Sequence, residues 1–176
     1  MQVYKFGGAS IATPERMMAL MPIINEAPDQ LVLVVSALGK TTNALEAIVI
    51  EAKNDKPKAH ELAKQLEQVH DDYARAILND TYYPKAHEAL NVFFTELQWA
   101  IDDVSADKFD YSYDQIVCIG ELLSTRIFAY YLQQQGLDYE WVDVRDVIRT
   151  EDTFRDARVD WKKKKKQAVL NIGKLL

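Results

Sequence analysis

Apolar and polar positions alternate along Gln2–Phe6, and the alternation predicts a short strand that runs into two glycines. From Pro14 to Glu26 the spacing changes. Met17, Met18, Leu20, Met21, Ile23 and Ile24 fall on a helical face, and Thr13-Pro14-Glu15 reads as its start. Leu31–Ser36 is an all-apolar run closed by a serine, as expected for a strand covered on both faces in a parallel sheet. Strand, helix and strand at this spacing make a βαβ unit with a right-handed crossover. Thr41–Ala52 returns to helical spacing. Residues 56–79 and 84–104 do the same, interrupted at Pro57 and at Tyr82-Tyr83-Pro84. So long a helical stretch is unusual as a connection between strands, and it reads as a helical excursion from the sheet over about residues 56–110. Ser112–Gln135 predicts another helix, ending at Gly136. Leu137–Val142 predicts a strand, Val144–Arg149 a possible further one, and Asp160–Leu176 a helix. Within that last segment Lys162–Lys166 would place charge on every side of a helix, leaving little to bury. There are no internal repeats and no linker rich in Pro, Gly or Ser. The one division suggested is between sheet core and helical excursion.

Composition narrows the class. The 176 residues are 48% hydrophobic and 27% charged, ordinary for one globular domain. A formal charge of −6 argues against general binding to nucleic acid or membrane surfaces, which needs a basic face. The single cysteine, Cys118, excludes an internal disulfide, and its apolar neighbours predict a buried, inert thiol. No apolar run reaches the roughly 18 residues of a membrane span. No charged-then-apolar leader precedes the first strand, so the expected location is cytoplasmic.

Four segments carry candidate chemistry. Lys5-Phe6-Gly7-Gly8-Ala9-Ser10 follows the first strand. Its glycines allow a sharp turn and close approach of N–H groups to an anion, Lys5 adds a positive charge, and Ser10 adds a hydroxyl before the helix. An ordinary strand-to-helix turn would look similar, and the segment matches neither the P-loop nor the dinucleotide-binding fingerprint. Ser36-Ala37-Leu38-Gly39-Lys40-Thr41-Thr42-Asn43 ends the second strand. Ligands bind beyond strand carboxyl ends in open α/β sheets, although such residues also cap helices. Gly120-Glu121-Leu122-Leu123-Ser124-Thr125-Arg126 sets a carboxylate into an apolar helix. Glu121 could accept from the ammonium of an amino acid, or pair with a nearby lysine or arginine. Val142–Thr150 is charge-rich, and Asp143 and Arg145 are read as an internal ion pair. His60, His70 and His87 fall in the excursion without metal-ligand spacing.

Together these segments resemble aspartate kinases of the amino acid kinase superfamily. Lys5–Ser10 is similar to K-F-G-G-T-S, with Ala9 in place of threonine. Ser36–Asn43 resembles V-S-A-x-x-x-x-T-[ND], Gly120–Thr125 resembles G-E-x-[LM]-S-[TA], and Asp143–Thr150 resembles D-x-R-x-[VIL]-[IML]-x-T, continued by Asp152–Phe154. The four motifs occur in order and cover residues 2–160. The resemblance implies a three-layer α/β/α sandwich with a mainly parallel sheet, incomplete at the C-terminus, and a helical insert. Residues 1–176 would be the N-terminal portion of the catalytic domain. The glycine-rich G-R-G-G-S-D segment, the ATP-binding part and the ACT domains are absent from them. The implied reaction moves the ATP γ-phosphoryl group onto the side-chain carboxylate of L-aspartate, with Mg²⁺ bridging phosphate oxygens. Lys5 would be catalytic. Lys5, Gly7, Gly8, Ser10 and Ser36 would bind phosphate, and Ser36, Ala37, Thr42 and Glu121 would bind aspartate. No residue is expected as a protein metal ligand, and the full-length protein is expected to form a homo-oligomer. Two alternatives stay open: another amino acid kinase, acting on glutamate, acetylglutamate or a nucleotide, and a catalytically incomplete binding module.

Overall fold

In the computed structural model, residues 1–27, 30–148 and 150–159 are described. The chain divides into two compact units, Met1–Tyr139 and Glu140–Leu176.

The first unit is built on two strands, β1 (Gln2–Phe6) and β2 (Leu31–Val35). They pair in parallel, with Gln2 opposite Leu31 and Phe6 opposite Val35. Ser36 extends the ladder by donating its N–H to the Phe6 carbonyl at 3.0 Å. One face of the pair is packed. Phe6 and Val35 are buried, and the Phe6 ring meets Phe128 edge-on at 6.4 Å. The other face is not covered as the apolar run predicts, since Val3 is 58% and Val34 46% exposed. Alternation puts Val3 and Lys5 on that open side, opposite the face that Phe6 buries.

The predicted helix over Pro14–Glu26 is two short ones, α1 (Pro14–Met18) and α2 (Met21–Asn25). Pro22 separates them, because its ring lacks an N–H and would clash with the carbonyl four residues back. Helix α3 (Thr41–Asn54) leads into α4 (Lys56–Ile77). The break is made by Asp55, whose side chain accepts from the Lys58 N–H at 3.0 Å, and by Pro57 in the first turn. Helix α5 (Tyr83–Asp103) also carries a proline, Pro84, in its first turn. Helix α4 buries Ala59, Ala63, Leu66, His70, Tyr73, Ala74 and Ile77, one stripe at helical spacing. Helix α5 answers with Leu90, Phe93, Phe94, Leu97 and Ile101.

The helix expected over Ser112–Gln135 is divided at Cys118 into α6 (Phe109–Val117) and α7 (Ile119–Gln134). Cys118 is half-buried at this junction, less enclosed than its apolar neighbours predict, and its thiol faces the Gln115 carbonyl at 3.5 Å. Helix α7 is buried on most sides, with Ile119, Leu123, Ile127 and Phe128 nearly inaccessible.

Among the described residues neither strand expected after Gly136 forms. Tyr139 turns its N–H back onto the Leu137 carbonyl at 3.1 Å. In the second unit Val144–Asp146 is a 3-10 turn held by Asp143, whose carboxylate accepts from the Arg145 N–H at 2.8 Å. A short side chain that satisfies its own backbone competes directly with a strand ladder. The same carboxylate takes the Arg145 guanidinium at 2.8 Å, which is the ion pair expected from the sequence. An antiparallel bridge joins Thr150 to Val159. Arg149 and the expected helix over Asp160–Leu176, with Lys162–Lys166, lie outside the described residues.

Candidate active site

Beyond Phe6 the chain passes through Gly7 in an extended conformation and enters a 3-10 turn, Gly8–Ile11. The Ser10 N–H closes that turn onto the Gly7 carbonyl at 2.9 Å, and its hydroxyl-bearing residue is exposed. This turn stands between the glycines and α1, so the helix start does not follow them directly. Lys5 is exposed on β1. Its ammonium lies 3.6 Å from where a side chain on Gly7 would begin.

The second loop packs against the first through main chain. A Cβ on Gly8 would sit 2.7 Å from the Ala37 carbonyl oxygen and 3.3 Å from that of Gly39, so only glycine fits. The Gly39 N–H donates to the Gly8 carbonyl at 3.2 Å, and Gly39 itself is left-handed, with φ of +48°.

Helix α7 supplies the third side. Glu121 Oε1 accepts from the Ala37 N–H at 3.3 Å. Its partner is therefore a backbone amide of the second loop rather than a surface lysine or arginine. Ser124 Oγ donates to the Ser36 carbonyl at 2.8 Å and lies 3.1 Å from the Glu121 carbonyl. The approach needs Gly120, where a Cβ would meet Ala37 Cβ at 3.0 Å, Leu45 Cδ1 at 3.1 Å and Thr41 Cγ2 at 3.2 Å.

Gly8, Ser36, Ala37, Gly39 and Glu121 are thus joined by direct contacts, with Lys5 and Gly7 on the adjoining strand end. Thr42 is half-buried in the first turn of α3, next to this cluster. Asp143–Thr150 belongs to the second unit. The sequence places Ser124 in the candidate segment of α7 without giving it a role, although its position one turn after Glu121 puts both on one face of the helix. Thr41, one of the hydroxyls that the second loop offers but not assigned to the site, is buried with its Oγ1 3.4 Å from His70 Nε2. The other histidines pair with carboxylates, His60 with Asp102 and His87 with Asp71, each at 2.8 Å. Asp71 also takes Tyr83 Oη at 2.6 Å and Arg75 Nε at 2.9 Å. Burial alone would raise its carboxyl pKa, but these hydrogen bonds hold it below the usual range.

Among the described residues no group of three or more His, Cys, Asp or Glu side chains is placed to hold a metal ion. None of the described helices is long and apolar enough to cross a membrane. Chemically, one strand end carries a lysine and two glycines, and the loop that packs against Gly8 supplies the amide that anchors the Glu121 carboxylate through one oxygen. That combination suits a ligand with an anionic group at one end and a cationic group at the other.

A sequence model of the amino acid kinase family matches residues 1–172. Bifunctional aspartokinase/homoserine dehydrogenase 2 of Escherichia coli K12 is 30% identical over 152 residues, 85% of this chain and 18% of that protein. E. coli aspartokinase III, solved with lysine and aspartate in its T-state, superimposes with a TM-score of 0.86 at 24% identity, over 98% of this chain and 38% of that one. The same enzyme with aspartate and ADP in its R-state gives 0.75 at 25% identity, over 97% of this chain and 37% of that one. The chain therefore spans well under half the length of these relatives.

Proposed function

The chain belongs to the amino acid kinase family, and from that premise we propose that it forms the aspartate and phosphoryl side of an aspartate kinase. The reaction is transfer of the ATP γ-phosphoryl group to the side-chain carboxylate of L-aspartate, giving 4-phospho-L-aspartate. The observation that carries this reading is the anchored carboxylate: Glu121 held by the Ala37 N–H, beside Ser36 and within the loop that touches Gly8. A glutamate bound through one oxygen keeps the other for a substrate ammonium, and the aspartate so held lies next to the Lys5–Gly8 turn. The relatives support the same substrates, since aspartokinase III has been solved with aspartate and with ADP.

In the proposed step one oxygen of the aspartate side-chain carboxylate attacks the γ-phosphorus. The bond from that phosphorus to the β,γ-bridging oxygen breaks, and ADP leaves with the electron pair. The nucleophile is already ionised at neutral pH, since an aspartate carboxyl titrates near 3.9, so no protein base is required. What remains for the protein is placement and charge stabilisation. Lys5 neutralises charge on the migrating phosphoryl group. The N–H groups of Gly7 and Gly8 and the hydroxyls of Ser10 and Ser36 donate to its oxygens. Thr42 and the Ala37 main chain complete the aspartate pocket around Glu121. Mg²⁺ brought with the nucleotide would supply further charge neutralisation at the phosphates, and no residue of this chain is assigned to hold it.

The test is an aspartate-dependent turnover assay on the whole protein that carries this chain, trapping the acyl phosphate as its hydroxamate. Product that requires both ATP and aspartate supports the proposal. Product with glutamate or acetylglutamate and none with aspartate replaces it with another amino acid kinase. Aspartate binding without turnover of any acceptor reduces it to a binding module.

A further inference from the structure

Helix α4 reaches both loops of the site from one face. Tyr73 Oη lies 2.9 Å from the Ile11 carbonyl and 3.0 Å from the Thr13 carbonyl, at the end of the glycine turn. One turn earlier, His70 Nδ1 lies 2.9 Å from the Leu66 carbonyl. A carbonyl only accepts, so this nitrogen carries the proton. In the neutral ring Nε2 is then bare and accepts from the Thr41 hydroxyl at 3.4 Å. His70 is fully buried, edge-on to Phe94 at 6.0 Å, and burial lowers its pKa, which keeps the ring neutral. Thr41 in turn abuts Gly120 and precedes Thr42.

We infer that His70 and Tyr73 are positioning residues for the proposed reaction: a two-point clamp by which the helical insert holds the aspartate loop, through Thr41, and the phosphate loop, through the Ile11 and Thr13 carbonyls, in register. The inference rests on the kinase reading above. It gives the insert a role in the site although none of its residues is assigned a contact with substrate. The two grips are three residues apart on one helix, so a shift of α4 moves both loops together.

Thr41→Val and Tyr73→Phe each delete one hydroxyl with little change of shape, in the whole protein. Thr41→Val is expected to raise KM for aspartate about 5-fold with kcat within about 2-fold, the scale of one hydrogen bond. Tyr73→Phe is expected to lower kcat about 5-fold with KM for aspartate unchanged. Thr41→Ser, which keeps the hydroxyl, restores KM. Unchanged kinetic constants with a lowered melting temperature would make both contacts merely structural and overturn the clamp. Hydrogen exchange without substrates separates this from the kinase reading. Tyr73→Phe should speed exchange at Ser10 and Met17, and Thr41→Val at Ala44, whose amides bond within the clamped turns. Unchanged exchange overturns the clamp even if the protein is a kinase. Altered exchange in a protein that turns over no aspartate upholds the clamp while the kinase reading falls.

Discussion

At Gly8 a methyl group would stand 2.7 Å from the Ala37 carbonyl oxygen, and that neighbour is main chain with no rotamer to escape into. Gly8→Ala should therefore push the two loops apart and destabilise the fold by about 1–3 kcal/mol, read as a lower urea midpoint. Lys5 is different, because it is exposed and carries little of the packing. Lys5→Ala should leave the melting temperature near that of the unaltered protein and lower kcat at least ~10²-fold, the loss expected for one preorganised charge-stabilising group. Near-normal turnover would remove Lys5 from the reaction. Glu121→Ala should raise KM for aspartate by about 10-fold or more, the scale of a charge-assisted hydrogen bond, with a smaller effect on kcat. An unchanged KM would take Glu121 out of the aspartate pocket.

Among the elements, α4 and α7 do most to shape the site, and they differ in how legible they are. Both are plain in the sequence as helices, because buried residues recur at helical spacing. What each helix touches is not plain. Glu121 meets Ala37 across 84 positions, Ser124 meets Ser36 across 88, and Tyr73 meets Ile11 across 62. Such pairs leave no local trace. The glycines and the carboxylate are legible because their types are unusual where they stand, whereas Ser124 and Thr41 stand in the candidate segments with nothing local to say what each one touches. The missing strands after Gly136 show the opposite failure. Leu137–Val142 has strand composition, but a strand also needs a partner, and composition cannot supply one. One further outcome belongs to α4. Burial depresses the His70 pKa below its ordinary 6.5. The unfolded chain therefore takes up a proton that the folded one refuses. Its contribution to stability is complete above about pH 6.5 and is lost as the pH falls toward the folded value. The melting temperature should drop between pH 7.5 and 5.5, and drop less in His70→Gln. An equal drop in both would place the acid sensitivity elsewhere.

For the molecule as a whole, the sites that the sequence proposes lie in two compact units, with Lys5, Ser36, Thr42 and Glu121 in the first and Asp143–Thr150 in the second. The first unit is held around its site by contacts between segments far apart in the chain. The strand end at Lys5–Gly8 and the loop at Ser36–Gly39 are made early, and the helix that fixes them is made late. With 84 positions between Ala37 and Glu121, a ribosome adding ~5–20 residues per second leaves the loops without α7 for roughly 4–17 s. Through that interval Phe6 lacks the Phe128 ring and Ala37 lacks Glu121 and the close approach of Gly120. The architecture that braces the second loop from a late helix therefore also sets a window during synthesis in which that loop, and the glycine turn resting on it, stand without their brace.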